Sequence, residues 1–295
     1  MAKKDTIKII ETTQKSNDFC FANNTTYGSG GIARYAYFPE TVKQTVAVFD
    51  YLNCENIRFI ILGNGSNILA SDKFYDGAVL CTKNLKGVRR TGRDTVFCYS
   101  GTMISSLLKY CSDNGLSGLE YLAGIPATIG GIVFMNGGAG GYTICDNVDS
   151  VSLYDGKMQK ISNKSCNFGH KYSIMRDINS VILGAELKLT PKSDKIVREN
   201  ITYFLEKRSL QPKGKSCGCV FKNAGNVSAG KIIDEAGLKG LTIGTAKVSE
   251  EHANFIINTG KSSADVYALI KEVKKRVFEI SGIILEEEVV YIGDF

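Results

Sequence analysis

The stretch LAGIPATIGGIVFMNGGAGG, Leu122 to Gly141, decides how the rest of this chain is interpreted. Seven of its twenty residues are glycine, and Pro126 is one of the four prolines in the whole sequence. Glycine costs backbone entropy, so a cluster is typical of main chain that turns sharply or approaches a ligand closely. Its unencumbered N–H groups suit a phosphate or a pyrophosphate. Taken alone, the stretch fits a ligand-binding loop and a tightly packed turn about equally.

A second glycine loop shifts the balance toward ligand binding. The apolar run Ile57–Leu62 predicts a buried strand and continues directly into GNGSN, residues 63–67. The loop is not a P-loop, because no Gly-Lys-Ser/Thr follows it. It is also a poor dinucleotide fingerprint, because the third glycine is absent. The two glycine loops therefore point to a ligand with phosphates. They predict that it is bound by neither a P-loop nor a dinucleotide-binding fingerprint.

The composition is that of a soluble globular protein with one very large domain or two ordinary ones. The chain has 295 residues, of which 43% are hydrophobic and 22% charged. Its net charge of +6 is spread along the chain, which suits an anionic ligand and gives no separate reason to expect nucleic acid. No apolar run approaches the roughly 18 residues of a membrane span, and no secretory signal is visible at the start.

The cysteines indicate a reducing compartment. There are nine, an odd number, and they are scattered without paired spacing. We therefore predict reduced thiols in a cytoplasmic protein. Cys217-Gly218-Cys219 would make half of a metal site, but there is no second such pair and the chain has only two histidines. We predict no metal.

The clearest helix signals lie at two places in the chain. Thr41 precedes an apolar series at helical spacing, and Ser263–Ile280 carries a stripe that can be capped by a serine and ended by Gly282. The two series are Val42, Val46, Phe49 and Leu52, and Val266, Leu269, Ile270, Val273, Val277 and Ile280. Val148–Ile161 predicts a hairpin turning at Asp155-Gly156, and Ile283–Leu285 and Val289–Ile292 predict strands at the end.

The two glycine loops carry a resemblance to a known family. Leu62–Leu69 and Ala123–Gly141 resemble the two flavin-binding signatures of the UDP-N-acetylenolpyruvoylglucosamine reductases, which make UDP-N-acetylmuramate for the bacterial cell wall. The resemblance covers most of the chain and is to the shorter branch of the family. It implies an α+β fold: a two-lobed FAD-binding domain, of the PCMH or vanillyl-alcohol-oxidase type, with a smaller α/β substrate domain. We place these domains at 23–192 and 193–295, after an N-terminal segment 1–22 that we expect to be flexible.

The resemblance implies two cofactors, a bound FAD and NADPH as the hydride donor. Loops 63–67 and 124–131 would hold the flavin pyrophosphate. The expected FAD-binding residues are Leu62, Gly63, Asn64, Gly65, Ser66, Asn67, Gly124, Ile125, Ala127, Thr128, Gly130, Gly131 and Arg208. The expected residues for the UDP-sugar substrate are Gln211, Lys222 and Asn223.

Cys219 is the expected proton donor. Ser216–Asn223 resembles the family's Gly-Ser-x-Phe-Lys-Asn motif, in which the serine donates the proton, and Cys219 stands in the serine's place. A thiol, with a reference pKa of about 8.5, is a much stronger acid than an alkyl hydroxyl and can donate to an enolate. It can also be oxidised or alkylated. Without the flanking motif, this cysteine would be interpreted as a buried structural residue.

Glu288 is the second expected catalytic residue. Gly282–Val289 resembles the family's Leu-Glu-x-Glu-Val motif, whose second glutamate is catalytic. Glu288 would act as an acid or orient the other groups around the enolate. The triplet alone is typical of a solvated surface run. On a strand, Glu286 and Glu288 would share one face and Glu287 the other, so two of the three carboxylates would be able to face a site.

Lys171 is the third expected catalytic residue and departs most from the family. Phe168–Ser173 aligns with a Tyr-Arg-x-Ser motif, in which His170 replaces the tyrosine and Lys171 the catalytic arginine. Lysine keeps the charge but lacks the planar fork that binds a carboxylate with two hydrogen bonds. Three alternatives follow: Lys171 does the task less well, Arg176 substitutes for it, or activity is impaired. His170 itself is predicted to be a packing residue.

The resemblance therefore implies an NADPH-dependent flavoenzyme that reduces the enolpyruvyl group of a UDP-sugar. Its partners would be that sugar and NADPH, with no nucleic acid and no membrane, and we expect a cytoplasmic monomer that serves cell-wall synthesis, cell shape and division. The alternative is a relative that binds flavin or UDP-sugar but has lost turnover and acts as a sensor or partner. Lys171 and Cys219, two departures among three catalytic positions, are the reason to keep this alternative.

Overall fold

The computed structural model describes residues 3–225 and 227–295, so the first two residues of the expected flexible segment 1–22 lie outside it. The helices are α1 Lys3–Thr12, α2 Val42–Cys54, α3 Ile104–Asp113, α4 Ile129–Phe134, α5 Asp194–Ser209, α6 Ala229–Glu235 and α7 Ser263–Ser281. The strands are β1 Gln14–Cys20, β2 Ile32–Phe38, β3 Phe59–Leu62, β4 Ile68–Ala70, β5 Tyr75–Cys81, β6 Val88–Arg90, β7 Thr95–Tyr99, β8 Leu116–Ser117, β9 Gly138–Ala139, β10 Tyr142–Thr143, β11 Val148–Tyr154, β12 Met158–Ser162, β13 Val181–Lys188, β14 Thr190–Pro191, β15 Thr242–Ile243, β16 Ala246–Val248, β17 Ile256–Asn258 and β18 Val290–Ile292.

The chain divides into two compact units, and each is made of separate stretches of sequence. The first unit contains the chain up to Ser16 together with Tyr35–Asn64 and Gly77–Ser209. The second contains Asn17–Arg34, Gly65–Asp76 and Leu210–Phe295. Two of the divisions fall inside strands β1 and β2 and a third inside β5. The boundary expected at 192/193 stays a prediction, and the last division between the units lies at 209/210, after α5.

The first unit is built on an antiparallel sheet. The strand order β12-β11-β13-β7-β6 places β13 in the middle, where most of its side chains are buried. α3 and α4 contribute to the main core of this unit through Ile104, Leu107 and Ile129. The predicted hairpin is confirmed: β11 pairs with β12 from Ser150↔Ser162 to Tyr154↔Met158. Gly156 has a φ of 103° in the turn, which explains the need for glycine there.

The strand predicted at Ile57–Leu62 is present as β3, but the prediction that it is buried was wrong. β3 pairs with β5 in parallel and lies at one edge of the order β1-β2-β5-β3. An edge strand has a neighbour on one side only, and Ile61 keeps 39% of its surface exposed. The apolar composition of the run indicated a strand correctly but gave no information about its place in the sheet.

Helix α2 forms as the sequence predicts. The Thr41 hydroxyl accepts from the Gln44 N–H at 3.2 Å, and the Gln44 side chain accepts from the Thr41 N–H, which together make a capping box. Phe49 and Leu52 of the predicted series are fully buried, whereas Val42 and Val46 are half-buried. The inward face is therefore rotated slightly from the predicted series.

The second unit packs α6 and α7 with the three-stranded antiparallel sheet β15-β16-β17, while β18 pairs with β4 in parallel. α7 is the predicted long helix: the Ser262 hydroxyl accepts from the Asp265 N–H at 3.1 Å, and Gly282 ends the helix with a φ of 69°. The predicted stripe is buried as far as Val277. Ile280 is 62% exposed, so that part of the prediction was wrong, because the helix continues one turn beyond the core.

The strand predicted at Ile283–Leu285 is also not found, although β18 confirms the final strand. Leu285 is buried in the core, whereas Ile284 is 72% exposed. No neighbouring strand within the described residues pairs with this short segment.

The combination of helices with mainly antiparallel sheets confirms the α+β fold class. Among the described residues, no helix combines the length and the apolar character needed to cross a bilayer.

Candidate active site

The glycine-rich stretch 124–131 folds as a tight turn whose backbone is largely satisfied by its own unit. Ile129 N–H donates to Thr102 O at 2.9 Å, and Gly130 N–H donates to Ser100 O at 2.8 Å. The Thr128 hydroxyl caps α4 by accepting from Gly131 N–H at 3.4 Å. Within the described part of the chain, Gly124 and Thr128 keep main-chain N–H groups without an acceptor. These two are the donors that this stretch can offer to a phosphate.

The loop 63–67 differs, because its amides are not used in this way. Among residues 3–225 and 227–295, no acceptor is found for the main-chain N–H groups of residues 64–67. Four successive amide donors in a glycine loop fit the oxygens of a pyrophosphate. This arrangement meets the requirement for FAD, and it makes loop 63–67 a better candidate than 124–131 for holding the pyrophosphate.

In the first unit, the start of this loop is fitted closely to the glycine-rich turn. The Asn64 side chain donates to Pro126 O at 2.7 Å. A Cβ on Gly63 would lie 2.3 Å from the Thr128 hydroxyl oxygen, so no other residue fits at position 63 without a shift. The two sequence-predicted glycine loops therefore meet at Gly63, Asn64, Pro126 and Thr128.

In the second unit, Gly65 and Asn67 fix the remainder of the loop. Gly65 has a φ of 63°, and its carbonyl accepts from Thr26 N–H at 3.2 Å. A Cβ at Gly65 would lie 2.5 Å from Asn24 O. The Asn67 side chain donates to Glu288 O at 3.0 Å, which ties the loop to an expected catalytic residue. Nothing in the sequence pattern indicated this last contact, which spans 221 residues.

Arg208, at the end of α5, lies against the glycine-rich turn. A Cβ at Gly124 would be 2.6 Å from Arg208 Cδ, and Gly124 has a φ of 77°. Glycine is therefore required at 124 both for the backbone conformation and for the approach of the arginine. The predicted flavin residues Gly124 and Arg208 are brought together in this way.

Lys171 sits at the tip of a two-residue turn in the first unit. Gly169 N–H donates to Tyr172 O at 3.0 Å, and Tyr172 N–H donates to Gly169 O at 3.3 Å. Lys171 has a φ of 56°, in the left-handed region that few side chains other than Asn and Asp adopt readily. Such a conformation occurs more often at functional sites than elsewhere.

The neighbours of Lys171 bear on two of the sequence-based expectations. His170 is exposed at the tip of the turn, so its prediction as a packing residue was wrong: a central turn residue points away from the core. Arg176 Nη1 donates to Lys171 O at 2.7 Å. One nitrogen of the guanidinium thus holds the turn that carries Lys171, which disfavours Arg176 as a substitute ligand for a carboxylate.

Cys219 and Glu288 are brought together in the second unit. Val220 follows Cys219 directly, and its carbonyl accepts from Glu288 N–H at 2.8 Å. Phe221 pairs with Glu287 in an antiparallel bridge, and Cys219 pairs with Phe255 in another. Both Cys219 and Glu288 are half-buried. The structure therefore places these two predicted residues on adjacent segments, which are joined by the hydrogen bond between Glu288 and Val220.

Asn254 clamps the Cys219 segment and was not found by sequence reasoning. Its side chain accepts from Phe221 N–H at 2.9 Å and donates to Phe221 O at 2.8 Å, and its carbonyl accepts from Val220 N–H at 2.9 Å. Asn254 is 3% exposed. A lone asparagine at the start of the apolar run 255–257 was the available signal, because a polar residue buried at such a place must be hydrogen-bonded.

Two buried ionisable groups, the Cys217 thiol and the Tyr27 hydroxyl, contact each other next to the Cys219 segment. Burial, with smaller contributions from the nearby Glu288 and Cys219, raises the pKa of the Cys217 thiol to about 12. Burial also raises the pKa of Tyr27 well above its usual value, and the adjacent Cys217 adds to this shift. Cys217 is thus a neutral thiol at physiological pH. Within the described residues, no group of three or more His, Cys, Asp or Glu side chains is arranged to bind a metal.

The predicted substrate residues have structural partners of their own. Lys222 forms an ion pair of 3.3 Å with Glu286, and the Asn223 side chain accepts from Ala229 N–H at 3.1 Å at the start of α6. Gln211 is half-buried. The second glutamate of the triplet, Glu287, pairs with Lys274 at 2.6 Å. Two of the three glutamates are thus engaged in ion pairs. The roles of Gln211, Lys222 and Asn223 toward a substrate stay predictions.

The comparison with family models matches both parts of the chain. The model described as "UDP-N-acetylenolpyruvoylglucosamine reductase, C-terminal domain" matches residues 211–292, and an FAD binding domain model matches residues 33–162. A UDP-N-acetylenolpyruvoylglucosamine reductase of Prochlorococcus marinus is 38% identical over 292 residues, covering 96% of this chain and 100% of the relative. The chain belongs to the UDP-N-acetylenolpyruvoylglucosamine reductase family.

Other members of the reductase family agree in sequence and in fold. The relative from Chlamydia abortus is 39% identical over 269 residues, covering 90% of each chain. The crystal structure of the reductase from Thermus caldophilus superposes with a TM-score of 0.81 at 31% identity, covering 95% of this chain and 99% of that one. The family predicted from the glycine loops is therefore confirmed, and so is an FAD-binding fold with a family-specific C-terminal domain.

Proposed function

We propose that this chain catalyses the NADPH-dependent reduction of UDP-N-acetylglucosamine enolpyruvate to UDP-N-acetylmuramate, using bound FAD. The observation that carries the proposal is the full-length similarity to reductases of this name, at 38% identity over 96% of the chain. The location of Cys219 and Glu288 on adjacent segments supports it, because the reaction needs an acid close to the carbon that receives a proton.

The residues proposed to hold FAD are those that fit a polyanionic cofactor. The main-chain amides of residues 64–67 are proposed to bind the pyrophosphate. Gly124, Thr128 and Arg208 are also proposed to bind FAD, as the family resemblance implies. When bound, FAD would supply the redox chemistry, which is the transfer of a hydride from NADPH to the C3 methylene of the enolpyruvyl group. All remaining steps fall to side chains of this protein.

We assign Lys171 the task of holding the substrate carboxylate and offsetting the negative charge of the enolate that forms. Its ammonium group is a compact point charge with three donors. The turn that carries it fixes its backbone, which limits the region that the ammonium group can reach before substrate arrives. A donor held in position in advance stabilises a developing charge without having to reorganise.

We assign Cys219 the delivery of the proton to C2 of the enolate. Hydride addition at C3 leaves an electron pair at C2, and transfer of the thiol proton completes the saturated lactyl ether. The resulting thiolate then regains a proton from solvent. Glu288, on the neighbouring segment, would orient the reacting groups or act as an acid near the same carbon.

We further propose the setting in which this reaction occurs. The product is a precursor of the bacterial cell wall, so the protein would serve cell-wall synthesis and, through it, cell shape and division. All nine cysteines are free thiols, which supports a cytoplasmic location. Gln211, Lys222 and Asn223 are proposed to contact the UDP-sugar, and the chain is proposed to act as a monomer.

Product analysis tests the proposal. Protein reconstituted with FAD is incubated with NADPH and the enolpyruvyl substrate, and the product is identified by mass spectrometry. We expect a product two hydrogens heavier than the substrate, with one NADPH consumed for each molecule formed. Binding of FAD and UDP-sugar without product would favour the alternative, a relative that has lost turnover.

A further inference from the structure

We propose that Asn136 is a positioning residue for Lys171, an inference that rests on the role given to Lys171 under the proposed function. Asn136 follows α4 near the end of the glycine-rich stretch. It is 4% exposed and has a φ of 43°. Asparagine is one of the few residues that tolerates this left-handed conformation. The chain therefore keeps a buried amide at a position where most other side chains would be strained.

The two ends of the Asn136 amide have fixed partners. Its nitrogen donates to Gly169 O at 2.8 Å, and its oxygen accepts from Cys145 N–H at 3.2 Å. A main-chain carbonyl can only accept and a main-chain N–H can only donate, so the orientation of the amide is unambiguous. Asn136 thereby joins three segments: the end of α4, the segment at Cys145, and the turn that begins at Gly169.

The bond to Gly169 controls the place of Lys171. Gly169 and Tyr172 exchange two main-chain hydrogen bonds across the two residues His170 and Lys171. In so small a turn, a shift of Gly169 carries Lys171 with it. The carbonyl that receives the Asn136 amide is thus only two residues from the charged side chain, and it belongs to the residue that closes the turn.

Two further hydrogen bonds hold the far side of the turn. The Ser173 hydroxyl, fully buried, donates to Phe134 O at 2.8 Å, and Arg176 donates to Lys171 O at 2.7 Å. Ser173 and Arg176 both follow Lys171 in sequence, whereas Asn136 holds the side that precedes it. Loss of the Asn136 donor would remove a hydrogen bond from the side of the turn that precedes Lys171.

The distance of the lysine charge from the substrate carboxylate matters at this position. A guanidinium can keep one of two hydrogen bonds to a carboxylate when it shifts, whereas an ammonium presents a single point of charge. Because effective molarity depends steeply on geometry, a small displacement of Lys171 has a large kinetic cost. The positioning contact would therefore offset part of what the lysine lacks.

The first test compares Asn136→Asp with Asn163→Asp. The carboxylate introduced by Asn136→Asp keeps the shape of the side chain and the acceptor for Cys145 N–H, but it turns an unprotonated oxygen toward Gly169 O. Asn163 is a matched control in the same unit, because its amide donates to Cys145 O at 2.8 Å and Val148 O at 2.7 Å. Reoxidation of NADPH-reduced flavin by substrate should slow about 10- to 100-fold in Asn136→Asp and less than about 3-fold in Asn163→Asp. Flavin reduction by NADPH should be equal in both.

A double-mutant cycle separates positioning from a general structural effect. Lys171→Ala removes the group that Asn136 is proposed to place, so Asn136→Asp should then cause little further loss. Equal losses in the presence and absence of Lys171 would overturn the inference. An Asn136→Asp protein that reoxidises its flavin at the wild-type rate would overturn it as well.

Hydrogen exchange gives a readout that does not depend on turnover. The N–H groups of Gly169 and Tyr172 should exchange faster in Asn136→Asp than in Asn163→Asp, because their mutual bonds lose support on one side. Unchanged exchange would contradict the inference whatever the kinetics. A different outcome would count against the proposed function and not against the inference. In it, exchange is faster in Asn136→Asp, but the wild-type protein does not reduce the substrate. If Asn136→Asp does not fold, Asn136→Gly replaces it, since glycine keeps the backbone conformation.

Discussion

At the scale of single residues, Cys219 carries the most direct consequence of the proposed chemistry. Cys219→Ala removes the proton donor and should leave flavin reduction by NADPH intact, while slowing reoxidation by substrate about 10²- to 10⁴-fold. Cys219→Ser restores a hydroxyl at the same place and should retain measurable turnover. Stopped-flow measurement of flavin absorbance separates the two half-reactions.

The control for this experiment is Cys54→Ala, which changes an exposed cysteine. It should leave both half-reactions within about two-fold, because surface substitutions away from special features have small effects. Equal rates of substrate reduction in Cys219→Ala and the wild type would remove Cys219 from the mechanism.

Lys171 gives a second prediction at this scale. If an ammonium group suffices as the ligand for the carboxylate, Lys171→Arg should reduce substrate at a similar or higher rate, because the guanidinium adds a second hydrogen bond. Lys171→Met, of similar length and without charge, should lose at least tenfold in kcat/KM. Steady-state kinetics with the enolpyruvyl substrate provide the comparison. A Lys171→Met protein with unchanged kinetics would show that this position holds no part of the substrate.

Some residue roles were visible in the sequence and some were not. Cys219, Glu288 and Lys171 stand in continuous motifs, so their types and spacing identified them as candidates. The residues that hold these candidates in place lie far from them in sequence. Asn254 lies 33 residues from the segment it clamps, and Asn136 lies 33 residues from Gly169. A short motif gives no information about a partner so distant along the chain.

At the scale of elements, the contact between the glycine-rich turn and α5 leads to a prediction about FAD. In Gly124→Ala, the new Cβ would meet Arg208 Cδ at 2.6 Å and displace the end of the arginine side chain. We expect the Kd for FAD to rise at least tenfold, equivalent to about 1.4 kcal/mol of binding free energy. Titration of apoprotein with FAD, followed by flavin fluorescence, measures this change.

Gly141→Ala is the matched control for the FAD titration. Gly141 has a φ of 88°, close to the 77° of Gly124. Among the described residues other than its two chain neighbours, no atom lies within 4 Å of its would-be Cβ. Both substitutions therefore introduce backbone strain of about 1–2 kcal/mol, but only one introduces a clash. Equal FAD affinities in the two variants would contradict the assigned role of the Gly124–Arg208 contact.

Elements with local signals were predicted well. α7 has a stripe, a serine at its start and a glycine at its end, and all three are present in the structure. The errors fall where the outcome depends on distant chain. Ile280 is exposed because the core ends before the helix does, and Ile61 is exposed because β3 lies at a sheet edge. Most main-chain amides of the glycine-rich turn already have acceptors within the protein. Two of these acceptors are the carbonyls of Ser100 and Thr102, which the sequence of the turn did not indicate.

At the scale of the whole molecule, the buried thiols make stability depend on alkaline pH. Burial raises the pKa of Cys98 to about 12, and it raises that of Cys111 to about 12, with Cys98 and Glu120 adding to the second shift. The unfolded chain ionises these thiols at lower pH than the folded one. Their contribution is complete below the unfolded pKa and is lost as pH rises toward the folded pKa.

We therefore expect the free energy of unfolding to fall between pH 8 and pH 10 by about 1–2 kcal/mol for each of these two thiols. Urea unfolding with a reductant present measures the change. A protein with Cys98→Ala and Cys111→Ala should be less stable at pH 8 but should lose less stability on going to pH 10. An identical pH dependence in the two proteins would contradict the assignment.

The most direct test of the whole account is an anaerobic titration of the FAD-loaded protein. One equivalent of NADPH should bleach the flavin absorbance, and UDP-N-acetylglucosamine enolpyruvate should then restore it within seconds. That result would establish the reductase and make Cys219 and Lys171 working variants of the family's residues. Flavin that is reduced by NADPH but stays reduced after addition of the substrate would contradict the central claim.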